Sequence, residues 1–295
     1  MPNTGLGPTS RTYFSQRLRL HYVDWGNPQA RPVILVHGGR DHCRSWDWVA
    51  RDLARDYHVI APDLRGHGDS QWAVGGSYTV WDYVYDLYQL LHQTALGPIN
   101  IVAHSYGGIV SLRYAGLYPD TVRRMAVIEG LGFRPAEVEK LEKQSVIERG
   151  QEWIANLKGL AARQPRRYPN IEEAVQRMRQ ENPRLTEEQA RHLTEHGMVR
   201  NEDGTFCWKY DNYFRVRAPY PITTAESVAF WREITCPVLL IRGTESWATD
   251  PVVDGRASHF RNVQTSNIEG AGHWVHHDRL EQFLAQVRAF LAAAP

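Results

Sequence analysis

Ser105 stands where one apolar run, Ile99-Asn100-Ile101-Val102-Ala103-His104, meets a second, Tyr106-Gly107-Gly108-Ile109-Val110, with Leu112 continuing it at helical spacing. Small residues, Ala103 and Gly107, lie two positions to either side. A turn that carries a strand directly into a helix brings the two backbones almost into contact. Only small neighbours fit, and the serine hydroxyl is left exposed at the tip. The helix beginning there aims backbone N–H groups at developing negative charge. That is the local equipment of a serine nucleophile.

Two further segments supply what such a nucleophile needs. Gly270-Ala271-Gly272-His273-Trp274 places a histidine in a loop before the last helical stretch, where His273 can act as general base. His37-Gly38-Gly39-Arg40 closes the run Val33-Ile34-Leu35-Val36. The Gly39 and Tyr106 N–H groups are the expected oxyanion donors.

The elements that position these residues are legible as alternating periods. Leu18, Leu20 and Tyr22 share one face of a period-2 strand. Val33–Val36, Val59–Ala61, Ile99–Ala103, Met125–Ile128 and Val238–Ile241 are short continuous apolar runs, as in buried parallel strands. Val80, Tyr83, Val84, Leu87, Tyr88 and Leu91 fall on one face of a helix that Gly97-Pro98 ends, and a last helix is expected over Leu280 to Leu291. Strand–helix alternation implies a mainly parallel sheet covered by helices on both faces, an α/β fold. From Phe133 to Phe230 the apolar runs give way to Glu, Arg, Gln and Lys at helical spacing, punctuated by Pro165, Pro169, Pro183, Pro219 and Pro221. The expected division is a core of residues 1–132 and 231–295 with a helical cap at 133–230.

With Asp63-Leu64-Arg65-Gly66-His67-Gly68-Asp69-Ser70 added to the other three motifs, the chain resembles the α/β-hydrolase superfamily over nearly its whole length. The order nucleophile, acid, histidine is that of the superfamily. Ala103 stands where many members have Gly, and Ser105 sets the chain apart from haloalkane dehalogenases and epoxide hydrolases, whose nucleophile is Asp. The resemblance implies an acid three or four residues beyond Gly243, but those places hold Ser246 and Trp247. Glu245 comes one residue early and Asp250 late. Glu129 ends the run Met125–Ile128, where a carboxylate is poorly solvated without a partner. Haloalkane dehalogenases and zearalenone-type lactonases are similar in carrying their acid at this place. Glu129 is the expected acid, with Glu245 and then Asp250 as alternatives, and a water-assisted dyad stays open.

Composition narrows the function classes. Lys and Arg total 34 against 33 Asp and Glu, which gives no electrostatic reason to expect nucleic acid or an anionic membrane as partner. Arg123-Arg124 and Arg166-Arg167 read as solvated surface. Cys43, Cys207 and Cys236 are too scattered for a disulfide framework, no apolar leader or membrane span is visible, and a cytoplasmic protein is expected. His276 and His277, being adjacent, cannot both face one ion from a helix, and no carboxylates are patterned beside them. They are expected to be solvated, and neither metal nor cofactor is expected. His104 is expected to pack under the turn at Ser105 and His37 to hold its loop. Of the ten tryptophans most are expected in the core; Trp247 and Trp274 adjoin the candidate loops, and Trp153, Trp208 and Trp231 fall in or at the edge of the inserted segment. A pocket lined by some of them would favour an apolar or aromatic substrate. The resemblance thus implies a serine hydrolase of carboxylic esters or lactones. Amide or carbon–carbon bond hydrolysis, perhydrolysis, or a receptor of the same fold are the alternatives.

Overall fold

The computed structural model describes residues 7–75, 78–216, 218–220 and 223–293; Pro221 and residues 1–6 lie outside them. The chain begins with an antiparallel pair, β1 (Thr9–Ser15) and β2 (Leu18–Asp24), followed by β3 (Arg31–Val36), α1 (Asp47–Leu53) and β4 (Tyr57–Pro62). Next come α2 (Val80–Gln93), β5 (Ile99–His104), α3 (Tyr106–Leu117) and β6 (Val122–Ile128). Beyond the inserted segment stand β9 (Val238–Gly243), β10 (Val263–Ile268), α9 (Val275–Asp278) and α10 (Leu280–Ala292). The eight strands form one sheet in the order β1-β2-β4-β3-β5-β6-β9-β10. From β4 to β10 every pairing is parallel, and of the eight strands β2 alone runs against the rest, antiparallel to both β1 and β4.

The strand residues divide by parity between two cores, because successive side chains point to opposite faces. Ile34, Val36, Ile60, Ile101, Ala103, Val127 and Leu240 pack on one side with Tyr83, Val84 and Leu87 of α2 and Val110 and Leu112 of α3. Val33, Leu35, Val59, Ala61, Val102, Ala126 and Ile241 pack on the other with Val49 and Leu53 of α1 and Phe283, Val287 and Leu291 of α10. Both faces are therefore apolar, which is why these strands read as unbroken hydrophobic runs. A Thr79 side chain and Asp82 form a reciprocal cap that starts α2 where its period begins.

Between β6 and β9 lie α4 (Pro135–Lys143), α5 (Val146–Ala161), α6 (Ile171–Glu181), α7 (Glu187–Gly197) and α8 (Thr224–Glu233). A two-stranded hairpin, β7 (Met198–Arg200) and β8 (Phe206–Trp208), interrupts them. Strands of three residues are too short to show a period, so only the Gly204 turn, at φ +85°, marks them in the sequence. Helix α8 crosses residue 230: Trp231 is buried in the α2–α3 core, and the Phe230 backbone meets Gly116 of α3.

Three surface expectations are corrected. His276 and His277 are buried rather than solvated, at 1% and 6% exposure. Their four-residue helix is too short to show an amphipathic period, and His276 stacks on Trp46 at 4.4 Å between ring centroids. Arg124 is buried, its guanidinium 5.4 Å from the Phe290 ring centroid, so only its neighbour Arg123 is surface as expected. Among the ten tryptophans only Trp25, Trp46 and Trp231 are buried; the others supply half-buried or exposed rings, several of them around the site described below.

Helix α3 is docked so closely that a Cβ on Gly108 would lie 2.6 Å from Gly130 Cα, a backbone atom that cannot swing aside. Gly150, inside α5, has nothing within 4 Å of the same position. Gly108→Ala should therefore destabilise the protein by about 1–3 kcal/mol through overpacking. Gly150→Ala should be neutral or stabilising by up to ~1 kcal/mol, since alanine is the better helix former. Differential scanning calorimetry of the two variants checks this; equal Tm values would contradict the close docking.

Candidate active site

Strands β3, β5, β6 and β9 end along the same edge of the sheet, and the candidate residues occupy the turns that leave them. Ser105 follows β5 directly and holds φ +50°, ψ −117°, a conformation that a side chain rarely tolerates. Its N–H donates to Ile128 O at 2.8 Å, pinning the turn to the end of β6. A Cβ on Gly107 would lie 2.4 Å from His37 O, and one on Gly38 would lie 3.1 Å from Ser105 Cβ. The glycines thus let the turn after β5 and the loop after β3 close on each other. Gly39 continues that loop with the Phe214 ring packed over it, and Tyr106 opens α3, a position whose N–H has no preceding helical carbonyl to bond.

A single hydrogen-bonded line joins three of the residues singled out by sequence. His273 Nε2 is 3.0 Å from Ser105 Oγ, and His273 Nδ1 is 2.5 Å from Glu129 Oε2. The Glu129 side chain is fully buried and its backbone also has positive φ, +48°. Besides His273, its carboxylate accepts the Gly243 N–H at 2.9 Å and the Ser246 hydroxyl at 2.6 Å. Ser246 was not recognised from the sequence as part of this group. It occupies the place where the superfamily pattern puts an acid, and here it donates to the acid on the neighbouring strand. Glu245 and Asp250 are elsewhere: Glu245 is half-exposed and ion-paired with Arg184, while Asp250 accepts from Asn267 at 2.8 Å. Trp247 covers His273, with ring centroids 4.9 Å apart.

Histidines hold the surrounding loops in neutral form. Leu64 N–H donates to His37 Nε2 at 2.9 Å, so the His37 proton is on Nδ1, which donates to Gly38 O at 2.7 Å. This ties the loop after β3 to the loop after β4. Burial pushes the His37 pKa down to about 3 and that of His67, which packs on Phe214, down to about 4. Burial alone would raise the pKa of Asp63, but hydrogen bonds and charge from His21, with the Cys43 N–H, hold it below the usual carboxylate range. His104 lies under Ser105 and donates its Nε2–H to His273 O at 2.9 Å.

Two recesses flank the line. One, of about 380 Å³, reaches Glu129, Leu131, Arg134, Trp247 and Arg256. The other, of about 300 Å³, lies between the loop after β3 and the inserted segment, lined by Arg40, Asp41, Met178, Trp208, Tyr210 and Trp274. Helix α7 and its flanks are tied to the core beside it: His42 Nε2–H donates to Leu193 O at 2.9 Å, and His192 meets Asp47 at 3.2 Å.

A profile of the alpha/beta hydrolase fold matches residues 31–280. The chain is 26% identical over 292 residues to the esterase Rv0045c of Mycobacterium tuberculosis, spanning 97% of this chain and 90% of that one. It is also 26% identical to the (E)-2-((N-methylformamido)methylene)succinate hydrolase of Acinetobacter baylyi, spanning 93% of this chain and 95% of that one. The crystal structure of hypothetical protein PA1622 from Pseudomonas aeruginosa is similar with a TM-score of 0.84 at 27% identity, spanning 96% and 99% of the two chains.

The neutral imidazoles have a consequence for stability. An unfolded histidine titrates near pH 6.5 (roughly), whereas folded His37 and His67 stay neutral far below it. The unfolded chain therefore binds protons that the folded chain refuses, and stability present above about pH 6.5 is lost as pH falls toward the folded values. The loss is about 2 kcal/mol for each residue by about pH 5. Urea unfolding at about pH 7.5 and about pH 5 should show it as a lower midpoint in acid; an unchanged midpoint would contradict buried neutral rings.

Proposed function

The chain belongs to the α/β-hydrolase fold family, and from that premise we propose that it cleaves a small carboxylic ester or lactone through an acyl-enzyme on Ser105. Its esterase and serine-hydrolase relatives make it a hydrolase of this family. The observation that carries the finer reading is the unbroken line from Ser105 Oγ through His273 to the buried Glu129 carboxylate. In this reading His273 Nε2 takes the Ser105 proton as Oγ attacks the carbonyl carbon. Glu129 holds the Nδ1–H tautomer and stabilises the imidazolium. Gly39 and Tyr106 N–H groups receive the oxyanion. Collapse of the tetrahedral intermediate breaks the acyl–oxygen bond, and His273 returns the proton to the leaving oxygen. Water, deprotonated by the same ring, then hydrolyses the acyl-enzyme.

The inserted residues 133–230 are read as a cap over this edge, with Trp208, Tyr210, Trp274 and Met178 favouring an apolar or aromatic substrate. A second reading, hydrolysis of an acidic amide, draws on the name of the Acinetobacter relative. Arg40 supports it, because it lines the same recess and makes no ion pair with a carboxylate among the described residues. Carbon–carbon bond cleavage and perhydrolysis use the same residues and have no observation of their own here. A reducing, cytoplasmic setting remains the reading of three cysteines too scattered along the chain for a disulfide framework.

Fluorophosphonate should label the protein at Ser105, and Ser105→Ala should abolish both label and turnover while leaving circular dichroism unchanged. On one activated ester, Glu129→Gln should lower kcat by on the order of 10⁴, as loss of the orienting carboxylate does. Glu245→Gln should cost about tenfold or less, the worth of a surface contact. The reverse ranking would move the acid to the β9 loop. A panel of esters, lactones and amides, with and without a carboxylate, separates the two substrate readings.

A further inference from the structure

Behind the candidate base lies a second cluster that the reaction does not use. Asp41 from the loop after β3, His104 from the end of β5 and His276 from α9 each bring one ligand atom to within 4.8 Å of the others. All three are buried, at 5%, 1% and 1% exposure. His104 gives its Nε2–H to His273 O, so its Nδ1 carries a lone pair, and that atom has no hydrogen-bond partner among the described residues. Neither nitrogen of His276 has one either. Among the described residues Asp41 accepts the His42 N–H at 2.9 Å and the Ser45 hydroxyl at 3.1 Å, which leaves further carboxylate lone pairs for a ligand.

Buried polar atoms without partners are costly, and here His104 Nδ1 and a nitrogen of His276 lie together beside the Asp41 carboxylate, which calls for a common explanation. We propose that Asp41, His104 and His276 form a binding site for a divalent transition-metal ion of the zinc type. Two imidazole nitrogens and one carboxylate oxygen are the donor set that such ions prefer, whereas calcium and magnesium take oxygen. The His104 Nε2–H bond to a backbone carbonyl is the outer contact that fixes the tautomer of a metal-binding histidine. Sequence spacing hides the site: His277 is not part of it, and the carboxylate arrives from the far end of the chain. Asp41 also lines the recess of about 300 Å³ between the loop after β3 and the inserted segment.

The location gives the site an effect. The His104 ring centroid is 4.6 Å from that of His273, and His104 holds the His273 backbone. A dication bound to His104 opposes the positive charge that His273 acquires when it takes a proton, so occupancy inhibits hydrolysis. This effect rests on the proposed role of His273; the binding itself does not.

The test uses the full chain, freed of metal by a chelator and then titrated with Zn²⁺ by calorimetry and with Co²⁺ by visible absorption. Wild type should bind one equivalent of each, with the Co²⁺ spectrum of a low-coordinate nitrogen-ligated ion. His276→Phe keeps a ring on Trp46 and should weaken binding at least tenfold; Asp41→Asn should weaken it too and serves if the first variant does not fold. His196→Gln, in the separate Asp47–His192–His196 cluster, should bind as wild type does. Zn²⁺ should inhibit wild type and His196→Gln but spare His276→Phe. Absence of binding in wild type, or binding that survives His276→Phe and Asp41→Asn, overturns the site. If binding follows the prediction while Ser105→Ala retains turnover, the metal site stands and the proposed mechanism falls.

Discussion

The contact between Glu129 and His273 constrains everything around it. A carboxylate with no exposed surface must be answered on all sides, and Glu129 is answered by His273, Gly243 and Ser246. Those donors come from two loops and a neighbouring strand, so the carboxylate is satisfied only when β6, β9 and the loop before α9 are in register. Removing one donor leaves a buried charge under-paired, which is why this interaction organises its surroundings rather than decorating them.

The parallel sheet makes that convergence possible. β3, β5, β6 and β9 are far apart in sequence but deliver their following turns to one edge. Side chains at those turns meet without any of them being near another along the chain. The two glycine contacts, Gly107 on the His37 carbonyl and Gly108 on Gly130, bring backbones closer than any side chain would permit. Neutral His37 then links the loops after β3 and β4, so the edge is held by hydrogen bonds as well as by packing.

Much of this was legible in the sequence, and the remainder has physical reasons for being hidden. Continuous apolar runs marked the strands because both sheet faces are covered, and the α2 period marked its buried face. Ser105 and His273 stood out because each sits in a local motif. Glu129 stood out because Ser246 and Trp247 left the usual acid place empty. The donation from Ser246 to Glu129 depends on the register of β6 against β9, which no local pattern encodes. Burial of His276 depends on Trp46, and the hairpin β7–β8 on strands too short to alternate. The tryptophans misled because an aromatic ring serves equally well in a core or around a cleft.

Ser105 and Glu129 are two of the seven non-glycine residues with positive φ among the described residues, and the backbone bond from Ser105 N–H to Ile128 O makes them neighbours across paired strands. Each such conformation costs of order 1–3 kcal/mol, which glycine would largely relieve. Selection for folding stability alone would therefore favour glycine at both positions. The chain instead retains a hydroxyl and a carboxylate there, so two strained peptide units coincide with the two ends of the hydrogen-bonded line through His273. Variants recovered in a screen for heat resistance would be drawn toward these two positions, and under the proposed mechanism each gain there would be registered as lost turnover.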